Sequence, residues 1–175
     1  TIETYHQDVK TYRVLDTQGM LVAIFYADFH PRAGKRGGAW MTSYKPQQII
    51  DTLDGKGVIN DRPHISNVCN FTKPTATKPS LLTFNEVTTL FHEFGHGLHG
   101  MLANTKYRGL SGTNVSWDFV ELPSQILENW CYEKQTLELF ATHYKTGEVI
   151  PMELIEKIKA SATFHEGMQT LRPVP

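Results

Sequence analysis

The feature that most constrains this chain is the stretch "TFNEVTTLFHEFGHGLHGML", Thr83 to Leu102. Thr83-x-x-Glu86 is a capping-box pattern, which starts a helix just ahead of it. At about 100° per residue, Val87, Leu90, Phe91, Phe94, Leu98, Met101 and Leu102 fall on one apolar stripe, with His92, His96 and His99 on the opposite side. A helix over 84–103 must therefore bury one face and present a row of imidazoles on the other. Gly95 and Gly97 interrupt it, each costing about 1 kcal/mol relative to alanine. Something must approach that backbone closely.

The imidazole spacing carries chemistry. His92 and His96 are four residues apart, so their rings stack on neighbouring turns and two ring nitrogens can reach one zinc ion. Glu93 is set off around the helix, too displaced to ligate with both rings yet close enough to take a proton from an activated water. With 8 histidines and 11 glutamates, chance alone gives an HExxH pattern about once in fifty such chains. The pattern is informative without being proof.

The rest of the chain supplies a place for this helix. Its 175 residues suffice for one domain with a core. The net charge of −1 leaves no basic field for nucleic acid, and no apolar run approaches the length of a membrane span. Val14 to Phe29 reads as a hairpin turning at Asp16–Gly19, and Ile65 to Phe71 as a short strand. "HPRAGKRGGAW" is a Gly-rich basic loop, in which Arg32, Lys35 and Arg36 are expected to be solvated. "KPQQII" and "DTLDGKGVINDRP" read as irregular connections. Helical patterns follow over 84–103, within 117–133, and over 135–145 and 151–169. Sheet first and helices after is an α+β order, predominantly helical, divided into a β-containing part at 14–71 and a helical part at 84–169. Cys69 and Cys131, too few for a disulfide framework, read as half-buried thiols in a reducing compartment, the cytoplasm.

A catalytic zinc takes three protein ligands. His99 is poorly placed to be the third. A metzincin pattern fails at His99 and Leu102, and a thermolysin-like spacing falls on Val115 and Ser116. Turn formers at 104–114 can reverse the chain, after which "VSWDFVELPSQILENW" carries Glu121, Gln125 and Glu128 on one polar stripe. Pro123 puts a helix start or kink near Glu121. Periodicity does not choose between Glu121 and Glu128. Glu128 or Asp118 is also a candidate to accept the second N–H of a histidine.

"FHEFGHGLHGML" with "SGTNVSWDFVELPSQILENW" resembles the M3 family of zinc oligopeptidases, the group of thimet oligopeptidase, oligopeptidase A and peptidyl-dipeptidase Dcp. "FYADFHPRAGKRGGAW" and "NFTKPTATKPSLLTFNEV" extend the resemblance over most of Val14 to Trp130. It implies one zinc held by His92, His96 and Glu121, with Glu93 as general base, oligopeptide substrates, and zincin-like helices within a larger, mainly α clamshell of which this chain is a fragment. The address implied for the full-length parent is the cytoplasm or the periplasm. "GLHGML" and "SGTN" lean toward the Dcp branch. The tyrosines and histidine that the family sets against substrate would lie beyond Pro175. "FHEGM" departs from the family pattern, which leaves His165 and Glu166 without roles. For substrate binding, the strand at Ile65 to Phe71 is read first as internal to the sheet and second as a β-addition edge. The rival to an enzyme is a structural or zinc-binding helical module that catalyses nothing.

Overall fold

The computed structural model describes residues 2–162, 164 and 166–171. His165 lies outside them. The chain forms two compact units, residues 1–128 and 129–175.

The first unit is built on a four-stranded mixed sheet. Its strands are β1 (Lys10–Leu15), β2 (Leu21–Asp28), β3 (Trp40–Lys45) and β6 (His64–Val68), in the order β1-β2-β6-β3. A separate antiparallel ribbon pairs β4 (Gln48–Asp51) with β5 (Val58–Asp61). The segments expected to be irregular thus hold two strands of their own. Their β-branched residues pair as a ribbon that local periodicity over four residues could not reveal. The expected hairpin is present as β1 and β2, and Asp16 Oδ1 accepts the Gln18 and Met20 amides at its turn. β2 pairs in parallel with β6, and β6 antiparallel with β3. β6 is therefore internal, and β1 and β3 are the sheet edges.

β2 is buried on both faces, which explains its unbroken apolar run. Ala23, Phe25 and Ala27 pack with Ile65 and Met101 in the main core, while Ile24 and Tyr26 join Val9 on the other face. Helix α1 (Phe84–Met101) lies on the main core side, its Phe94 and Leu98 packed against that cluster. The capping box at Thr83 and Glu86 is formed from both sides. The expected apolar stripe is only part of what meets the sheet. Glycines complete the contact: a Cβ on Gly97 would stand 2.7 Å from Asn67 Oδ1, and one on Gly100 2.7 Å from Ile65 Cδ1. Leu102, assigned to the stripe, is exposed because the helix ends one residue earlier. Arg62 closes that end, donating to the carbonyls of Met101, Ala103 and Val22.

In the basic loop Arg36 is exposed as expected, but Arg32 and Lys35 are not free in solvent. Asp28, 2% exposed, accepts a bidentate pair from Arg32 at 2.6 and 2.8 Å, Lys35 Nζ at 2.9 Å and the Tyr5 hydroxyl at 2.9 Å. Lys35 Nζ also donates to the carbonyls of Asp28, His30 and Cys69, and Arg36 stacks on Trp40. A local charge count cannot reveal this, because the acceptors come from β2 and the end of β6. Cys69 and Cys131 are fully buried rather than half-buried, and the described residues contain no disulfide. Burial, with Glu93 nearby, pushes the Cys69 thiol up to about 12, so it is unreactive near neutrality.

Helix α2 (Leu122–Asn129) closes the first unit. In the second unit, a 3-10 turn at Trp130–Tyr132 precedes α3 (Lys134–Phe140), α4 (Met152–Ala162) and α5 (Glu166–Leu171), with Cys131, Leu137 and Ile155 buried. Sheet and helix are both substantial, and the fold is α+β. No helix among the described residues is long and apolar enough to cross a membrane.

Candidate metal centre

α1 presents His92 and His96 on adjacent turns, their ring centroids 4.9 Å apart. The chain then turns at 104–121 and returns as α2. Glu121 stands immediately before α2, and its Oε2 lies 3.3 Å from His92 Nε2 and 3.1 Å from His96 Nε2. One atom from each of the three residues falls within a set no more than 4.8 Å across. Two ligand atoms each about 2.05 Å from a tetrahedral ion stand about 3.3 Å apart, so the observed separations suit a metal of zinc's size. Two imidazole nitrogens and one carboxylate oxygen are also a donor set that zinc accepts with a position left open.

His92 Nδ1 meets Glu128 Oε1 at 2.6 Å. The two glutamates that periodicity could not separate thus address opposite nitrogens of one ring, and Glu128, not Asp118, holds His92 in orientation. Burial lowers the pKa of His96, with the Glu121 carboxylate opposing it, which favours the neutral, ligating imidazole. The Ser124 hydroxyl, followed by the two histidines, holds Glu121 below the usual carboxylate range. His99 stands apart from the group, its ring edge-on to Phe119 at 6.1 Å.

Glu93 is buried beside the histidines but outside the donor set. Burial raises its pKa, while His92 and the nearby Met41 backbone N–H oppose the rise. Met41 is on the edge strand β3, which borders the recess that Glu93 also lines. A recess of about 340 Å³ joins these groups, with Trp40, Met41, Thr113 and Trp117 on its walls. A second recess of about 270 Å³ shares Met41 and Thr113 and runs on to Ser43 and Arg108. Met41, Thr113 and Ser124 went unnoticed in the sequence. Only Ser124 left a local signal, three residues after Glu121, where a helix start brings side chains together.

The close approach that Gly95 signalled comes from α2. A Cβ there would lie 2.5 Å from both Pro123 O and Ser124 Cα. Gly95→Ala gains about 1 kcal/mol of helix propensity. Overpacking costs about 1–3 kcal/mol, toward the upper end here because backbone cannot rotate aside. A net loss of about 1–2 kcal/mol in urea unfolding is expected. Gly37→Ala, with nothing within 4 Å of the added Cβ, should be near neutral. Equal stability of the two variants would mean that the helices are not held this closely.

A sheet-backed helix bearing two histidines, met by a carboxylate just ahead of the next α-helix, forms a group of two imidazoles and one carboxylate that could hold a metal ion. The chain belongs to peptidase family M3, whose family model matches residues 1–174. It is 43% identical to the dipeptidyl carboxypeptidase of Escherichia coli (strain K12) over 96% of this chain and 24% of that protein. It is 42% identical to Escherichia coli oligopeptidase A over 98% of this chain and 25% of that protein. Against the organellar oligopeptidase A of Arabidopsis thaliana, chloroplastic/mitochondrial, identity is 45% over 96% of this chain and 21% of that protein. The chain therefore spans about a quarter of the length of these relatives.

Proposed function

We propose that this chain carries the zinc centre of an enzyme that hydrolyses peptide bonds in short peptides, as an oligopeptidase or a peptidyl-dipeptidase. The observation that carries the reading is the convergence of His92 Nε2 and His96 Nε2 on one Glu121 oxygen, with Glu93 beside them and outside the set. His92, His96 and Glu121 would hold the ion. When bound, zinc supplies Lewis-acid polarisation of the scissile carbonyl and acidifies water.

The remaining work falls to the chain itself. Glu93 accepts the proton of the attacking water at its carboxylate and passes it to the leaving amine. Met41 of β3 lines the same recess as that carboxylate, and its N–H favours the charged form. Glu128 fixes the His92 ring, so that Nε2 is the nitrogen that ligates. An extended peptide would lie along the free edge of β3, between that strand and Thr113, since β6 is internal and has no edge to offer. Substrate groups beyond the scissile bond would be met by the rest of a larger, mainly helical catalytic domain, consistent with relatives about four times as long. The similarity to a dipeptidyl carboxypeptidase and to oligopeptidase A is nearly equal, so both modes of cleavage stand within the proposal. A cytoplasmic setting belongs to the same proposal.

The test is metal content of the purified chain after dialysis, wild type beside Glu121→Ala. About one zinc per wild-type chain, lost in the variant, is expected. A wild type that binds no zinc, even after refolding with the metal, would leave a purely structural helical module as the better reading. Zinc retained at full occupancy by Glu121→Ala would remove Glu121 from the ligand set.

A further inference from the structure

We propose that Ser124 is a positioning residue for Glu121, its hydroxyl holding the carboxylate in the orientation that lets it share one ion with His92 and His96. The proposal rests on the zinc reading above. Ser124 is fully buried in the first turn of α2, and its Oγ lies 2.8 Å from Glu121 Oε2, the same oxygen that faces both imidazoles. The Glu121 carbonyl is also within reach of Oγ, at 2.9 Å. A serine hydroxyl has one proton to give, so the two acceptors compete for it. The carbonyl is already served by the Gln125 N–H at 2.9 Å, and a carboxylate is the stronger acceptor. The proton goes to the carboxylate.

Glu121 needs such a hold. Its side chain is 49% exposed and it precedes the helix, so a glutamate there has rotamers that swing the carboxylate into solvent. Among the described residues, the polar side chains against that carboxylate are Ser124 and the two histidines, and of these Ser124 alone is not itself a proposed ligand. Ser124 can act as a fixed post because its own backbone is clamped. The Cβ position of Gly95 is 2.5 Å from Ser124 Cα, so α1 and α2 touch backbone to backbone here. The hydroxyl thus stands in a set relation to the helix that bears both histidines.

The experiment measures zinc affinity by competition with a chromophoric chelator, using the purified chain as wild type, Ser124→Ala, Ser124→Cys and Glu121→Ala. Ser124→Ala is expected to bind zinc about 10–100-fold more weakly, the range for loss of a ligand-orienting partner. Its metal-free unfolding midpoint should stay within a few degrees of wild type. The visible spectrum of its cobalt(II) form should change, which a packing defect away from the ligands would not produce. Ser124→Cys keeps a weak donor and should fall between, and it carries the test if the alanine variant does not fold. Zinc affinity of both Ser124 variants within twofold of wild type, with Glu121→Ala binding none, would overturn the role of Ser124 and leave the zinc reading intact. A wild type that binds no zinc would overturn the zinc reading, and this proposal with it.

Discussion

Replacing Asp28 by asparagine should destabilise the chain by about 3–5 kcal/mol, the range for removing one partner of a buried ion pair. Folded domains hold only about 5–15 kcal/mol in total, so the variant should sit near the edge of folding. The size follows from what is left behind. Asparagine matches the shape, but Arg32 loses a bidentate partner, and Lys35, whose side chain is 4% exposed, keeps only carbonyls around its charge. The exposed Lys73–Asp8 pair offers the contrast, since solvent screens such a pair and leaves it little effect on stability. Burial alone would raise the Asp28 pKa, but the hydrogen bonds from Arg32, Lys35 and Tyr5 outweigh it and hold the carboxyl well below the usual range. The folded value is therefore below the unfolded one, near about 3.9. The contribution is present in full above that pH and is lost as pH falls below it. Urea unfolding at pH 7 and at pH 3 checks both statements: the gap between wild type and Asp28→Asn should be large at pH 7 and smaller at pH 3. A gap under about 1 kcal/mol at pH 7 would mean that the cations find other partners.

Glu93→Gln should leave zinc stoichiometry unchanged and lower peptide turnover by about 10²–10⁴-fold, the range for a positioned general base. At 1.36 kcal/mol per tenfold, that is about 3–5 kcal/mol of barrier. Glutamine fills the same space and keeps one acceptor oxygen, so the site keeps its shape. What it lacks is a carboxylate to take the proton. Elemental analysis alongside cleavage of an internally quenched oligopeptide by the active protein separates the two effects. Loss of zinc in Glu93→Gln would make Glu93 a ligand and end the proposed division of roles.

How far the site could be read from sequence differs residue by residue. The start of α1 and the approach of the His92 ring to that of His96 are local properties, set within four residues by the helical repeat, and both are legible. Glycines 95 and 97 announced a close neighbour. Its identity, α2 for one and Asn67 for the other, came only with the fold. The burial of Arg32 and Lys35 is not legible because a charge is read as solvated unless its partner is known, and their partner Asp28 ends β2. The ribbon of β4 and β5 was missed because short strands are stabilised by their pairing and not by their own pattern.

Sequence by itself determined the apolar and imidazole faces of α1, the capped start of that helix and the order of sheet before helices, since each depends on neighbours within a few residues. Tertiary structure decided that Glu121 faces Nε2 of both histidines while Glu128 takes Nδ1 of His92. Those two glutamates are seven residues apart on one stripe, equivalent by periodicity. Only the contact of α2 on Gly95, and the turn that brings it there, makes them different.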